Sequence, residues 1–492
     1  MAFYPLALPP GIYRNGTAYQ SMGRWYDSNL VRFYQGAILP HGGWRAKTTD
    51  ALTGKGRAII SWNDNAGSTS WIVVGTESNL YAISRSGAVS DITPTVFTPG
   101  RASAVTSGGY GAGLYGAGTY GTPRPDSTNV LAASMFSMDT WGEDWIGVMA
   151  EDGVINEWAL DTGTPAAPVT NAPSCSALVV TQEGILMALA AENVGRRAKW
   201  SDLRDNTQWT PDATNEAGDF DLQTSGRLMM GRRITAGVLL WTDLDLHLAT
   251  YTGDNRIYKF DKVSDGCGAI SRNAGVALDS RAVWMGDSGF WLYNGYAEPL
   301  PCDVWDYVFD DLNYLQKSKI TCELNSTFGE VTWRYPSGGS TEIDRYVTWN
   351  FRENHWQIGE IVRLCGVDKG VTGYPLRVGD DGIVYEHEVG FMYGDDLMPF
   401  IEGGPIQMGN GDSVFYANLL MPDDKTVGDV SATFKIKFEP DGDETSFGPY
   451  SLTKRTDLRF GGRQLSARFD GVREADWRIG TPRLDVTQGG AR

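Results

Sequence analysis

AVWMGDSGFWLYNG, residues 282–295, decides the fold. Two short apolar runs rich in aromatic and β-branched residues flank a small polar turn, the pattern of an antiparallel hairpin. The same unit recurs as WIVVGTESNLYAIS (71–84), WIGVMAEDGVINEWAL (145–160), VLLWTDLDLHLATY (238–251) and LRVGDDGIVYEHEVG (376–390). ILMALAAENVGRRAKWSD (185–202) is a weaker copy with a longer turn. Asp152-Gly153, Ser288-Gly289 and Asp381-Gly382 sit where the chain must reverse, and glycine there accepts a positive φ. Copies are often roughly 40–50 residues apart, the blade period of a β-propeller. A blade cannot bury both faces alone, so it stacks on neighbours around an axis. The expected class is all-β, with a β-propeller over residues 51–395; a set of separate β-sandwiches is the alternative.

From residue 396 to 492 the hairpin unit disappears. VSATFKIKFEP (430–440) alternates apolar and polar residues, as do SARFDG and WRIGTPRLDV. This predicts a second, antiparallel β-sandwich or barrel. Residues 1–50 are extended and turn-rich, and are expected to pack on that domain or on a neighbouring subunit.

Two segments interrupt the pattern. GGYGAGLYGAGTYGTPRP (108–125) places Tyr110, Tyr115 and Tyr120 among glycines and has no branched core of its own. It reads as a surface loop, and its tyrosines are candidates for docking another protein, since Tyr offers large amphipathic contact area. The second segment, CDVWDYVFDDLNYLQK (302–317), has Trp305, Val308, Phe309, Leu312 and Leu315 at helical spacing. It predicts an inserted amphipathic helix over 303–317, capped by Asp303 and with Asp306 in its first turn.

The 492 residues exceed what one hydrophobic core usually serves. Aromatics make up 12%, and 60 glycines and 22 prolines punctuate the chain, as many short strands require. The formal net charge of −18 excludes a protein that coats nucleic acid or anionic membrane by charge. Cys175, Cys267, Cys302, Cys322 and Cys365 are odd in number and form no CxxC pair, so free thiols in a reducing compartment are expected. The N-terminus lacks a basic region and is broken by Pro5, Pro9 and Pro10, so no signal peptide is expected. No apolar run is long enough to span a membrane.

Catalytic signatures are absent. His41, His247, His355 and His387 show no ligand spacing, and there is no GxSxG elbow, Walker loop or GxGxxG after a strand. AEDGVINEW and VGDDGIVYE resemble the Asp-box turns of sialidase propellers, which are structural. Asp441, Asp443 and Glu444 lack the DxDxDG calcium frame. No enzymatic activity, cofactor or metal is therefore expected.

Three stretches carry a family resemblance: NLVRFYQGAILPHGGWR (29–45), EVTWRYPSGGSTEIDRYVTWNFRENHWQIGE (330–360), and GRQLSARFDG (462–471) followed by WRIGTPRLDVTQGGAR (477–492). Together they resemble the tail-hub, or nozzle, proteins of short-tailed bacteriophages. That resemblance implies a propeller with a platform-like β domain and a homo-hexameric ring below the portal adaptor. It further implies docking of tail fibres or tailspikes, a needle or plug, and passage of double-stranded DNA through the ring without sequence-specific binding. The expected location is the virion tail, after folding in the host cytoplasm. The alternative from another class is a carbohydrate-binding or glycan-cleaving β-propeller. Read on its own, the second stretch is a three-strand meander whose Trp333, Trp349 and Trp356 pack across strands as core.

Overall fold

The computed structural model describes residues 2–106, 130–254, 256–394, 397–407, 411–472 and 474–490. Each repeat identified in the sequence forms the middle of a four-stranded antiparallel sheet, and seven such sheets follow one another. Blade 1 is Gly56–Asn63, Ser70–Thr76, Leu80–Ile83 and Val89–Asp91. Blades 2 to 6 begin with Phe136–Trp141, Ala177–Val180, Leu228–Ile234, Gly275–Leu278 and Thr321–Asn325. Blade 7 comprises Arg363–Val367, Leu376–Gly379 and Val384–His387, and its fourth strand, Trp44–Ala46, comes from the other end of the chain. The first strand of each blade touches that of the next, and the seventh touches the first, closing a seven-bladed propeller.

Burial follows from the stacking. The second strands lie between two neighbouring blades, so residues 72–76, 145–149, 238–241 and 282–285 are buried without interruption. At the turns, Gly153 (φ +70°) and Gly382 (φ +78°) are left-handed. Gly289 is not: it opens the third strand of blade 5, paired with Gly286. In blade 6, Trp333 and Trp356 lie 4.7 and 4.8 Å from the Phe290 ring of blade 5, with Trp349 tilted against Trp356 at 6.4 Å.

The second domain is a β-sandwich assembled from both chain ends. One sheet runs, in spatial order, Ala2–Pro5, Arg483–Gln488, Phe415–Met421 and Thr456–Gly462. The other runs Trp25–Asn29, Phe400–Gly403, Gln464–Gly471, Val430–Lys437 and Thr445–Ser451, with Ile406–Gln407 also on Gln464–Gly471. Val430, Ala432, Phe434 and Ile436 point into its core and alternate with half-buried residues, as expected for a sheet wet on one face. The N-terminal fifty residues thus serve both bodies: two strands in the sandwich, one in blade 7, and between them a hairpin of Val31–Tyr34 and Ala37–Pro40. The sandwich core is continuous with that of blades 5 and 6.

The helix expected over 303–317 is shorter. Only Trp305–Phe309 is α-helical, and Tyr314–Lys319 is a separate 3-10 turn. The chain bends between them because Asp311 turns to pair with Arg345, Leu312 bridges to Ser337, and the Asn313 side chain accepts from Leu315 N at 3.1 Å. Asp303 caps nothing; it pairs with Arg24 at 3.1 Å.

Candidate functional site

In an antiparallel wheel, the turns between second and third strands share one face with the links from blade to blade. Two of those links are long, 92–135 and 301–320, and they meet. Ala104 N donates to Gln316 Oε1 (2.9 Å), Gln316 Nε2 donates back to Ala104 O (3.0 Å), and Lys319 Nζ reaches Ser103 Oγ (3.1 Å) and Glu342 (3.0 Å). Arg57, on the first strand of blade 1, donates to Ala102 O at 2.7 Å and holds Glu342 with two bonds. Below them the axial opening is only about 140 Å³ and is lined by Arg57, Phe136, Arg232, Asn273 and Cys322 among others. No polymer threads it.

Beside this cover lies a polar basin of about 530 Å³ between blades 2, 3 and 4. Its walls are the Glu151-Asp152-Gly153 turn, residues 174–176 entering blade 3, the turn from Ala190 to Gly195, and Arg227. Glu151 accepts from Arg101 and from Ser134, so it ties down both stems of the Gly/Tyr insertion. Burial raises its pKa against the opposing pull of Arg101 and Arg272. Asp152 Oδ1 accepts from Thr98 N at 3.3 Å, and its Oδ2 has no partner. Ala190, Glu192 and Asn193 are all left-handed, with φ of 52°, 56° and 62°. Held strain of this kind costs about 1 kcal/mol or more per residue. Burial pushes the Cys175 thiol up to about 12, so it is no nucleophile at neutral pH. The basin sets two carboxyl groups, Glu151 and Asp152, and the Arg227 guanidinium around one polar space.

The second concentration of chemistry is the joint between propeller and sandwich. Arg32, on the N-terminal hairpin, bonds Glu330 of blade 6 with two contacts of 3.1 Å and Glu388, just past blade 7, at 2.9 and 2.6 Å. Its guanidinium also lies 3.6 Å from the Phe328 ring centre. Burial would raise the Glu388 pKa, but Arg32 outweighs it and holds that carboxyl at about 2. Further in, Glu323 accepts from Arg334 at 2.7 Å and Arg377 at 2.8 Å. His387 has Arg363 Nε 3.0 Å from one ring nitrogen and Arg377 Nη1 3.1 Å from the other. Burial and these cations keep its imidazole neutral, and His41 is likewise lowered to about 3.

The residues singled out in the sequence fare differently. Tyr110, Tyr115 and Tyr120 lie outside the described residues. His41 and His387, unrelated in sequence, line the same cavity. His247 sits 3.2 Å from Asp245, and His355 packs edge-on to Phe33. The two Asp-box-like turns diverge: Asp381 closes its own turn by accepting from Ile383 N and Tyr385 OH, whereas Asp152 faces the basin. Glu444 lies about 4 Å from Lys435 and Lys437, a setting for an ion pair. Sequence reasoning missed Arg32, Glu323, Arg334, Arg363 and Arg377. Their signal was charge inside strands that otherwise read as buried, as in EVTWRY.

No family model matches the chain, and no curated protein matches it in sequence. Among solved structures it is similar to a streptogramin B lyase (TM-score 0.40, 11% identity), covering 70% of this chain and 97% of that one. It is also similar to the exo-β-1,3-galactanase of Phanerochaete chrysosporium (TM-score 0.31, 11% identity; 91% and 100% covered). A third, carrying a provisional gluconolactonase description, has a TM-score of 0.35 and 9% identity, with 72% and 93% covered. These three are described as enzymes, the third provisionally, which runs against the expectation that the chain has no enzymatic activity. Likeness at this level concerns the fold and transfers no substrate or residue role. Among the described residues, no helix is long and apolar enough to cross a membrane.

Proposed function

We propose that this chain is a structural component of a short-tailed phage tail, a nozzle or hub subunit. One observation carries the reading. The three stretches that resemble that family are far apart in sequence and adjacent in space. Asn29 accepts from Glu360 N at 3.0 Å, Arg32 binds Glu330, and Ile38 bridges to Ile479. They build one rigid joint between propeller and sandwich, which suits a part that transmits load between other proteins. Copies of the chain form a closed ring, six by the family resemblance. That ring continues the DNA channel below the portal adaptor, docks fibres or tailspikes outside and takes a needle or plug below. The duplex passes between subunits, since the axial opening of the propeller is far too small. The charge of −18 keeps the phosphates from sticking. The subunit folds in the host cytoplasm and ends in the virion.

Electron microscopy of the purified protein, and of virions labelled with an antibody against it, tests this. Rings and label at the tail are expected; a protein that stays monomeric with no tail label overturns it. The polar basin favours a second reading, a carbohydrate-binding or glycan-cleaving propeller. Retention on a glycan array, or release of reducing sugar, that is lost in Asp152→Asn would support that reading, and binding to no glycan would end it.

A further inference from the structure

Between blades 6 and 7, beneath the N-terminal hairpin, lies a cavity of about 10 Å³, room for a single small particle. The groups around it are overwhelmingly donors. Arg334 is 2% exposed and lines the cavity, and its Nε and Nη1 have no partner. Tyr346 accepts from Leu30 N at 3.1 Å, which leaves its own hydroxyl proton to give. A neutral imidazole has one acceptor nitrogen, so His387 can satisfy only one of the two guanidiniums beside it. Thr332 and Thr348 share one bond of 2.8 Å, and one of the two hydroxyl protons remains to be donated.

Charge tells the same story. The buried joint holds four guanidiniums, Arg32, Arg334, Arg363 and Arg377, against three carboxylates, Glu323, Glu330 and Glu388. Both histidines are neutral, so one guanidinium, that of Arg363, has no carboxylate in direct contact and feels only the more distant charge of Asp381. An unpaired charge away from water is among the most expensive features a fold can hold.

We propose that this cavity binds one monovalent halide ion, chloride under cellular conditions. A halide accepts hydrogen bonds and donates none, and it brings the missing charge. A water molecule has two protons of its own, and only His41 and hydroxyl oxygens line the cavity to take them, whereas a halide has none to place. The ion acts as a structural counter-ion that fixes hairpin, blade 6 and blade 7 to one another.

The test uses the full chain. Crystals grown or soaked in sodium bromide should show a bromine anomalous peak within reach of Arg334, and a water there with no peak overturns the proposal. In solution at constant ionic strength, Tm should climb by roughly 1–3 °C per tenfold rise in chloride or bromide above the dissociation constant, with gluconate inert. Melting that does not distinguish chloride from gluconate overturns it as well. Tyr346→Phe, which removes one donor and keeps the ring, should shift the midpoint to several-fold higher halide. Arg334→Met should abolish the dependence. If Arg334→Met fails to fold, the wild-type bromide peak and Tyr346→Phe still decide.

Discussion

The contact between blades 3 and 4 and that between blades 6 and 7 solve the same problem with opposite chemistry. Val179, Leu189, Leu228 and Leu240 fill the first with apolar atoms, closed by Trp200 over Tyr258. The second holds Arg334, Glu323, Arg377 and His387 at comparable burial. Both are four-stranded sheets stacked in one wheel, so blade geometry does not require the charges. What differs is the neighbour: blades 6 and 7 also receive the N-terminal hairpin and the sandwich. Apolar packing is tolerant of register and partner, whereas an array of forked donors and carboxylates accepts one arrangement. The charged contact therefore specifies how the two bodies join, and the dry contact supplies stability.

Breaking each contact should separate the two roles. Glu323→Ala leaves Arg334 and Arg377 facing one another without their shared acid. It is expected to lose about 3–5 kcal/mol in denaturant unfolding, the toll of an uncompensated buried charge. Leu240→Ala, at 0% exposure in the dry contact, should lose about 2–5 kcal/mol through its cavity. The sharper difference lies in salt and pH. Only the Glu323 variant should change how stability responds to chloride and to acid.

Acid sharpens the comparison further. His41 has a folded pKa of about 3, and that of His387 is also far below the ordinary value near 6.5. Below about pH 6.5 the unfolded chain binds protons at these imidazoles and the folded chain does not, so stability falls as pH falls. The slope approaches about 1.4 kcal/mol per pH unit for each histidine. Glu388, held at about 2, contributes stability that is full above its unfolded pKa and is lost as pH drops from about 4.3 toward 2. Urea midpoints measured from pH 7.5 to 3.5 should thus decline from about 6.5 downward and steepen below 4.5. His41→Gln should flatten the upper part of that curve. A midpoint constant between pH 7 and 5 would refute the neutral, buried state of both rings.

The sequence revealed these two regions unequally, for physical reasons. Strand–turn–strand units were legible because a blade's middle strands are buried on both faces and read as unbroken apolar runs, such as 238–241. The sandwich was legible because 430–437 alternates with a period of two. Blade number was not, since blade 7 borrows Trp44–Ala46 from more than three hundred residues away and no local pattern announces that pairing. The joint was hidden for a related reason. Arg32, Glu330 and Glu388 each look like solvated surface charge until the fold brings them together. Helical spacing in 302–317 over-reached because Asp311 and Leu312 find tertiary partners that bend the chain. The basin acids were visible only as one turn among several alike.

The mildest test concerns those turns, and it ties ring closure to the charged side of the wheel. Gly382, at the turn of blade 7, has φ of +78°, and a Cβ there would meet Leu52 O at 2.5 Å. That backbone is bonded to it in turn, Leu52 N donating to Gly382 O at 2.9 Å, which seats blade 7 against the strand entering blade 1. Gly382→Ala meets both a left-handed backbone and a clash, so about 1–3 kcal/mol should be lost. Gly289, the matching glycine in blade 5, is not left-handed, and a Cβ there would have only Trp305 Nε1 within reach, at 3.9 Å. Gly289→Ala should change stability by less than about 0.5 kcal/mol, because it adds no strain and a strand tolerates Ala as well as Gly. Equal effects from the two alanines in denaturant unfolding would mean that neither turn is held by its neighbour, and that blade 7 closes on blade 1 through the apolar core of Leu376, Val378, Val384, Ile72 and Val74 alone.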